Sequence, residues 1–116
     1  MTLKGLKDFC LNLSGVTEEF PFDDVTLTFK VKGKMFVLVN IETFTYINLK
    51  CDPNDAIAFR EMFEGVTPGY HMSKKHWNSV TTDGSIEDKI ILRWILDSYE
   101  LVVSKLPKAM RESLIT

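Results

Sequence analysis

The stretch VTLTFKVKGKMFVLVNIETFTYINLKCDP, residues 25–53, decides the fold. Its first part alternates, with Val25, Leu27, Phe29 and Val31 on one side and Thr26, Thr28, Lys30 and Lys32 on the other, the period-two pattern of a half-buried strand. Lys32-Gly33 supplies a turn, and Met35 to Val39 follow as a run apolar on both faces, which suits a central strand. Glu42-Thr43 then turns the chain into a third strand over 44–50. The expected unit is a three-stranded antiparallel meander. Two registers remain open: a two-residue loop at Lys32-Gly33 pairs Phe29 with Phe36, whereas a three-residue loop pairs it with Val37, and a slip of one residue exchanges the faces.

The meander runs into Cys51-Asp52-Pro53-Asn54-Asp55, which reads as a helix start: Asp52 as cap, Pro53 in the first helical position, and acids where the helix dipole favours them. Ala56, Phe59 and Phe63 give this helix its buried side, and Gly65 ends it. Upstream, Leu3, Leu6, Phe9, Cys10 and Leu13 recur at helical spacing behind Thr2 as cap, while residues 16–24 read as an acidic loop with Phe20-Pro21-Phe22 as a hydrophobic crossing. Downstream, a loop beginning at Pro68-Gly69 leads to a short strand over 77–82 and an Asp83-Gly84 turn. Ser85 and Asp88 form a capping pair before the longest helix, with Ile91, Trp94, Ile95, Ser98, Leu101 and Val102 as its stripe. Pro107 interrupts that helix, and residues 107–116 form a short amphipathic tail or helix. The order α-β-β-β-α-β-α predicts an α+β two-layer sandwich, an antiparallel sheet with helices on one face. Leu27, Phe29, Val37, Val39, Ile47, Leu49, Phe59, Phe63, Trp94, Ile95 and Leu101 are the expected core.

At 116 residues, 45% hydrophobic and 26% charged, the chain suits one domain over 1–116 that needs no metal or disulfide to fold. No repeat, leader-like apolar stretch or run long enough to span a membrane occurs, so a monomeric cytoplasmic protein is expected. Cys10 and Cys51 lack metal-site spacing and read as reduced, structural thiols. The formal net charge of −2 argues against a polyanion-binding protein, yet the charges segregate. Residues 25–50 balance to +3, residues 66–82 to +2 and residues 101–116 to +2, whereas 1–24, 51–65 and 83–104 each come to −3.

The densest chemistry lies in Thr67 to Asn78, where two lysines, both histidines and two aromatics share an acid-free segment. Lys74, Lys75 and His76 beside Tyr70 and Trp77 suit a phosphate backbone with a stacked base, or the amphipathic rim of a core. Lys30, Lys32 and Lys34 on the hairpin are a candidate second wing, although hairpin lysines also keep sheet edges from pairing. Trp77, at a strand start, is more often core than probe. Glu18, Glu19, Asp23 and Asp24 are oxygen ligands without fixed spacing, and His71 and His76 are five apart rather than paired as in a helical zinc site. Cys51 precedes a helix start, but Asp52 and Asp55 oppose a thiolate there. No nucleophile elbow, P-loop, dinucleotide-binding or zincin pattern appears, so neither a catalytic residue nor a cofactor is expected.

Particular words then become informative together: Phe20-Pro21-Phe22, Gly33-Lys34-Met35-Phe36, Leu49-Lys50-Cys51-Asp52-Pro53, the Pro68-Gly69-Tyr70-His71 to Lys75-His76-Trp77-Asn78 segment, and Ser98-Tyr99-Glu100-Leu101-Val102 with Lys105-Leu106-Pro107. In these words the chain resembles the MmcQ/YjbR family of small bacterial proteins along nearly its whole length. The resemblance implies a fold similar to CyaY, the bacterial frataxin, and DNA binding through a double-wing arrangement. It supplies no catalytic motif. One alternative is a protein-interaction module that reads an acidic partner through the exposed sheet face, with Phe36, Phe44 and Tyr46 as candidates. Another is frataxin-like metal binding.

Overall fold

The computed structural model describes residues 1–114, so the end of the expected tail, residues 115 and 116, lies outside the described residues. Thr2 caps α1 (Leu3–Leu11) by accepting from Gly5 N at 3.0 Å, as its hydroxyl and position predict. The meander follows as β2 (Thr26–Val31), β3 (Lys34–Asn40) and β4 (Tyr46–Lys50). Two strands absent from the expected order extend the sheet: β1 (Val16–Glu19) within the acidic loop, and β5 (Val66–Pro68) before the lysine loop. Both are edges, in the order β1-β2-β3-β4-β6-β5, with β6 (Trp77–Thr81) and every pairing antiparallel. They are only four and three residues long and mostly exposed, so they lack the alternating burial that marks a strand in sequence.

The hairpin settles the open register by combining both alternatives. Lys32 and Gly33 have φ of 49° and 80°, the pair of positive values that a two-residue turn matched to strand twist requires. That turn pairs Val31 with Lys34 and Lys30 with Met35, but the register then shifts so that Phe29 pairs with Val37. Phe36 is the extra residue. This β-bulge sends both Phe29 and Phe36 into the core, where each is fully buried. Phe36 therefore does not belong to an exposed sheet face, and the interaction-module reading loses that residue.

Helices α1, α2 (Pro53–Met62) and α3 (Asp88–Ser104) bury their apolar sides on one face of this sheet. Leu6 and Cys10 from α1 join Leu27, Phe29, Val37, Val39, Ile47, Leu49, Val80, Ile91 and Ile95 in one cluster. Of the expected core, Phe59, Phe63 and Trp94 pack against this cluster only partly buried, and Leu101 is likewise half-buried. Phe59 stacks on Trp94 with ring centroids 4.8 Å apart, and Phe63 meets its edge at 5.1 Å. These rings wall a cavity instead of filling one.

Two boundaries differ from expectation. α2 ends at Phe63 rather than at Gly65. α3 starts behind Glu87 with no side-chain cap, because the Asp83 carboxylate accepts from Ser85 N at 2.9 Å and draws Ser85 into the preceding turn. Past Pro107 the chain forms α4 (Lys108–Ser113). Asp52, by contrast, caps α2 as expected, accepting from Asn54 N at 3.0 Å with Pro53 opening the helix. Asp52→Ala should lower the unfolding free energy by about 0.5–2 kcal/mol in urea denaturation. A change below that range would show that Pro53 alone sets the helix start.

Candidate nucleic-acid interface

Antiparallel pairing gathers the sequence's basic segments at one end of the sheet. Val31 opposes Lys34 at the hairpin, Val37 opposes Leu49, and Lys50 opposes Trp77, so the hairpin tip, the end of β4 and the start of β6 lie side by side. The Lys50 ammonium is held below the usual lysine range, first by burial and then by repulsion from Lys105 and Lys34. Hence Lys105, at the end of α3, belongs to the same cluster. Among the described residues, none of Lys32, Lys34, Lys50, Lys74, Lys75 and Lys105 pairs with an acid. Lys30 does, with Glu19 at 3.6 Å, so it is withdrawn from the expected site.

The loop between β5 and β6 is built rather than loose. Gly69 donates from its N–H to Trp77 O at 2.9 Å, and a Cβ on Gly69 would stand 2.7 Å from the Trp77 Cβ, which only glycine avoids. Met72 N closes a turn on Gly69 O with His71 at φ 59°. Arg60 reaches up from α2 to donate to Asn78 Oδ1 at 2.7 Å, to Trp77 O and to Lys74 O. Sequence gives no sign of that role, since a basic residue in the last turn of a helix reads as a partner of the helix dipole. On the face away from the helices, Asn48 donates to Tyr70 O, and Tyr70 N donates to the Ser79 hydroxyl. The loop thereby lies over Asn48 and Ser79, both buried and in one row with Leu38 and Thr28. Tyr46 is half-buried with its ring edge on Tyr70, and Phe44 is half-buried too, so Tyr70 is the aromatic this face leaves open.

The expected site residues thus separate. Trp77 is only 7% exposed and is packing, whereas Tyr70 at 56% is the aromatic presented to solvent. Lys74 donates its ammonium to Gly69 O at 2.9 Å and braces the loop. Lys75 is exposed and unbound, and His76 is half-buried with its carbonyl accepting from Cys51 N. Lys50 and Lys105 join from outside the expected set, and their signal in the sequence is the positive balance of residues 25–50 and 101–116. Three of the four acids considered as metal ligands are engaged elsewhere: Glu18 with Lys7 at 3.5 Å, Glu19 with Lys30, and Asp23 with Val25 N, Thr26 N and the Thr26 hydroxyl. Among the described residues no three His, Cys, Asp or Glu side chains converge as a metal site. Burial pushes the Cys10 thiol up to about 12. Cys51 is raised to about 11, by burial first and then by Asp55, Asp52 and Asp97. A thiol held neutral in this way is a poor nucleophile.

Fold and site together define a small α+β protein with helices on one side of an open six-stranded antiparallel sheet and lysines gathered at one end of it. The chain belongs to the YjbR family, whose family model matches residues 11–101. It is similar to the YbdF protein of Escherichia coli O157:H7, 37% identical over 103 residues that cover 88% of this chain and 84% of the relative. The YjbR protein of Escherichia coli K12 is 30% identical over 116 residues, covering 99% and 98% of the two chains. Among solved structures, a Deinococcus radiodurans protein with the DUF419 domain superposes with a TM-score of 0.92 at 38% identity, over 97% of this chain and 87% of that one. A Pseudomonas syringae protein, at TM-score 0.74 and 23% identity over 87% and 98%, shares the fold. No helix among the described residues is long and apolar enough to cross a membrane.

Proposed function

We propose that the protein binds DNA weakly and with little sequence preference, as a non-catalytic cytoplasmic monomer that lays a phosphate backbone across the basic end of its sheet. The observation that carries this reading is the run of lysines without acidic partners, from the hairpin tip through Lys50 and Lys105 to Lys75. Mutual repulsion raises the energy of that cluster, and a polyanion relieves it while releasing its own counterions. Lysine acts on phosphate as a point charge, so such contacts position the protein without reading bases. Tyr70 is exposed, but its ring packs on Tyr46 at the other end of β4 from Lys50, so a base would reach it only from a strand that runs on along this face. The overall charge of −2 keeps the affinity low and confines contact to this end.

The test is a titration of labelled duplex and single-stranded DNA at several salt concentrations. Replacing Lys34, Lys75 and Lys105 together by Ala should reduce the slope of log K against log salt by about 0.9 for each duplex phosphate no longer neutralised, up to roughly 2.7, alike on unrelated sequences. Lys74→Ala should change the slope less, because its ammonium is spent on Gly69 O. An absence of association at low ionic strength, or a triple variant with the wild-type slope, would remove the proposal.

A further inference from the structure

Between α2 and α3, on the helix side of the sheet, lies a cavity of about 320 Å³ whose lining reaches Lys50 at the basic end. Leu49, Val66 and Val80 form its floor, and Phe59, Trp94 and Leu101 its walls. The Phe59 and Trp94 rings stack on each other along the cavity, and Phe63 meets Trp94 from its edge. Its size lies at the lower end of ligand pockets and corresponds to about ten water-sized groups. At the mouth stand four carboxylates: Asp52, Asp55, Asp97 and Glu100.

The charges around this mouth are unbalanced. Arg93 pairs with Asp97 at 2.9 Å and reaches Glu100 at 4.0 Å. Arg60 is committed to loop carbonyls and Asn78. Lys50 contributes one positive charge to the lining, against the four carboxylates, and is repelled by Lys34 and Lys105 at the sheet end. That leaves Asp52 and Asp55 without a cationic partner among the described residues. Cys51 in its wall has its thiol pushed up to about 11, by burial first and then by Asp55, Asp52 and Asp97, against a smaller lowering by Arg60. An apolar cavity with an indole wall and uncompensated carboxylates at its mouth complements one kind of guest, a hydrophobic body with a single positive charge.

We propose that this cavity is a binding site for a small amphipathic amine, an aromatic or branched aliphatic body seated between Phe59, Trp94 and Leu101 with its ammonium at the Asp52 and Asp55 carboxylates. The cavity shares Lys50 with the lysine cluster but takes its guest on the Asp52 and Asp55 side, so the assignment does not rest on the DNA reading. Three probes of one shape distinguish the charge requirement: phenethylammonium, 2-phenylethanol and 3-phenylpropionate, titrated into the full chain at constant ionic strength and followed by amide and indole NMR shifts. Phenethylammonium should shift Val66, Val80, Leu101 and the Trp94 indole, bind about fivefold tighter than the alcohol, and leave the carboxylate weakest. Asp55→Asn, at an exposed position with no side-chain hydrogen bond to lose, should lower the ammonium-to-alcohol ratio about twofold or more while keeping the fold. Absence of shifts up to 10 mM ligand on the order expected for so few heavy atoms, shifts outside the lining residues, equal binding of the alcohol, or an unchanged ratio in Asp55→Asn would each overturn the assignment.

Discussion

Phe36→Ala is expected to cost about 3–5 kcal/mol of unfolding free energy and to lower Tm by roughly 10–20 °C. The side chain is fully buried, and its ring meets Tyr99 of α3 edge-on at 5.5 Å and 74°. Tyr99 in turn donates its hydroxyl to Ser14 O at 2.6 Å, so the Phe36 ring sits where the bulged strand, α3 and the turn after α1 converge. Removing it leaves a cavity that a bulge cannot collapse by sliding, because a slip of one residue would carry Val37 and Val39 to the opposite face. Phe22→Ala is the matched control: that ring is 62% exposed, and its loss should stay within about 0.5 kcal/mol. Urea unfolding of both variants checks the pair. Similar stabilities for the two would mean that the hairpin pairs without the bulge.

The contrast between these two phenylalanines shows how far the sequence is legible. Periodicity and apolar runs identify β2, β3, β4, β6 and the three main helices, because burial on one face or on both leaves its pattern in the residues. The caps at Thr2 and Asp52 are equally plain, since a side-chain oxygen before a helical run has one usual task. A bulge, however, is a disagreement between two strands, and no single strand records it. The edge strands β1 and β5 are hidden for a related reason: Thr17, Glu18, Glu19, Thr67 and Pro68 are exposed, so hydrogen bonding to a neighbour, not burial, makes them strands. Phe20-Pro21-Phe22 looks like a buried crossing and is largely in solvent.

The candidate site divides along the same line. Local composition points to the lysine loop and the hairpin. Pairing is what joins them, through Lys50 opposite Trp77, and adds Lys105 from the far end of α3. Trp77, at a strand start, reads as core in the sequence, whereas Tyr70 beside it in the loop carries no such mark. Their exposures differ because Gly69 lets the backbone close against Trp77, while the turn at His71 carries Tyr70 outward. The cavity between α2 and α3 is composed of residues that sequence assigns to the core. Phe59, Trp94 and Leu101 fall on apolar stripes whether the space between them is filled or empty.

Ser98→Ala is expected to cost about 2–4 kcal/mol, more than almost any other removal of a single hydroxyl should. One step beyond the Val37–Leu49 pair, the ladder would oppose Phe36 with Lys50, but the bulge separates them. The Ser98 hydroxyl stands between: it accepts from Lys50 N at 3.0 Å and donates to Phe36 O at 2.7 Å, fully buried. Alanine would leave a buried amide and a buried carbonyl unpaired at once, each carrying a desolvation cost of about 1–3 kcal/mol. Ser98 thus lets the sheet keep its bulge. It also ties α3, and with it Lys105, to the strand that carries Lys50. If the DNA reading holds, Ser98→Ala should weaken binding while leaving every lysine in place, through loss of their common frame. Urea denaturation with an unchanged m-value checks the stability claim, and a loss below about 1 kcal/mol would mean that Lys50 N and Phe36 O find each other directly once the hydroxyl is gone.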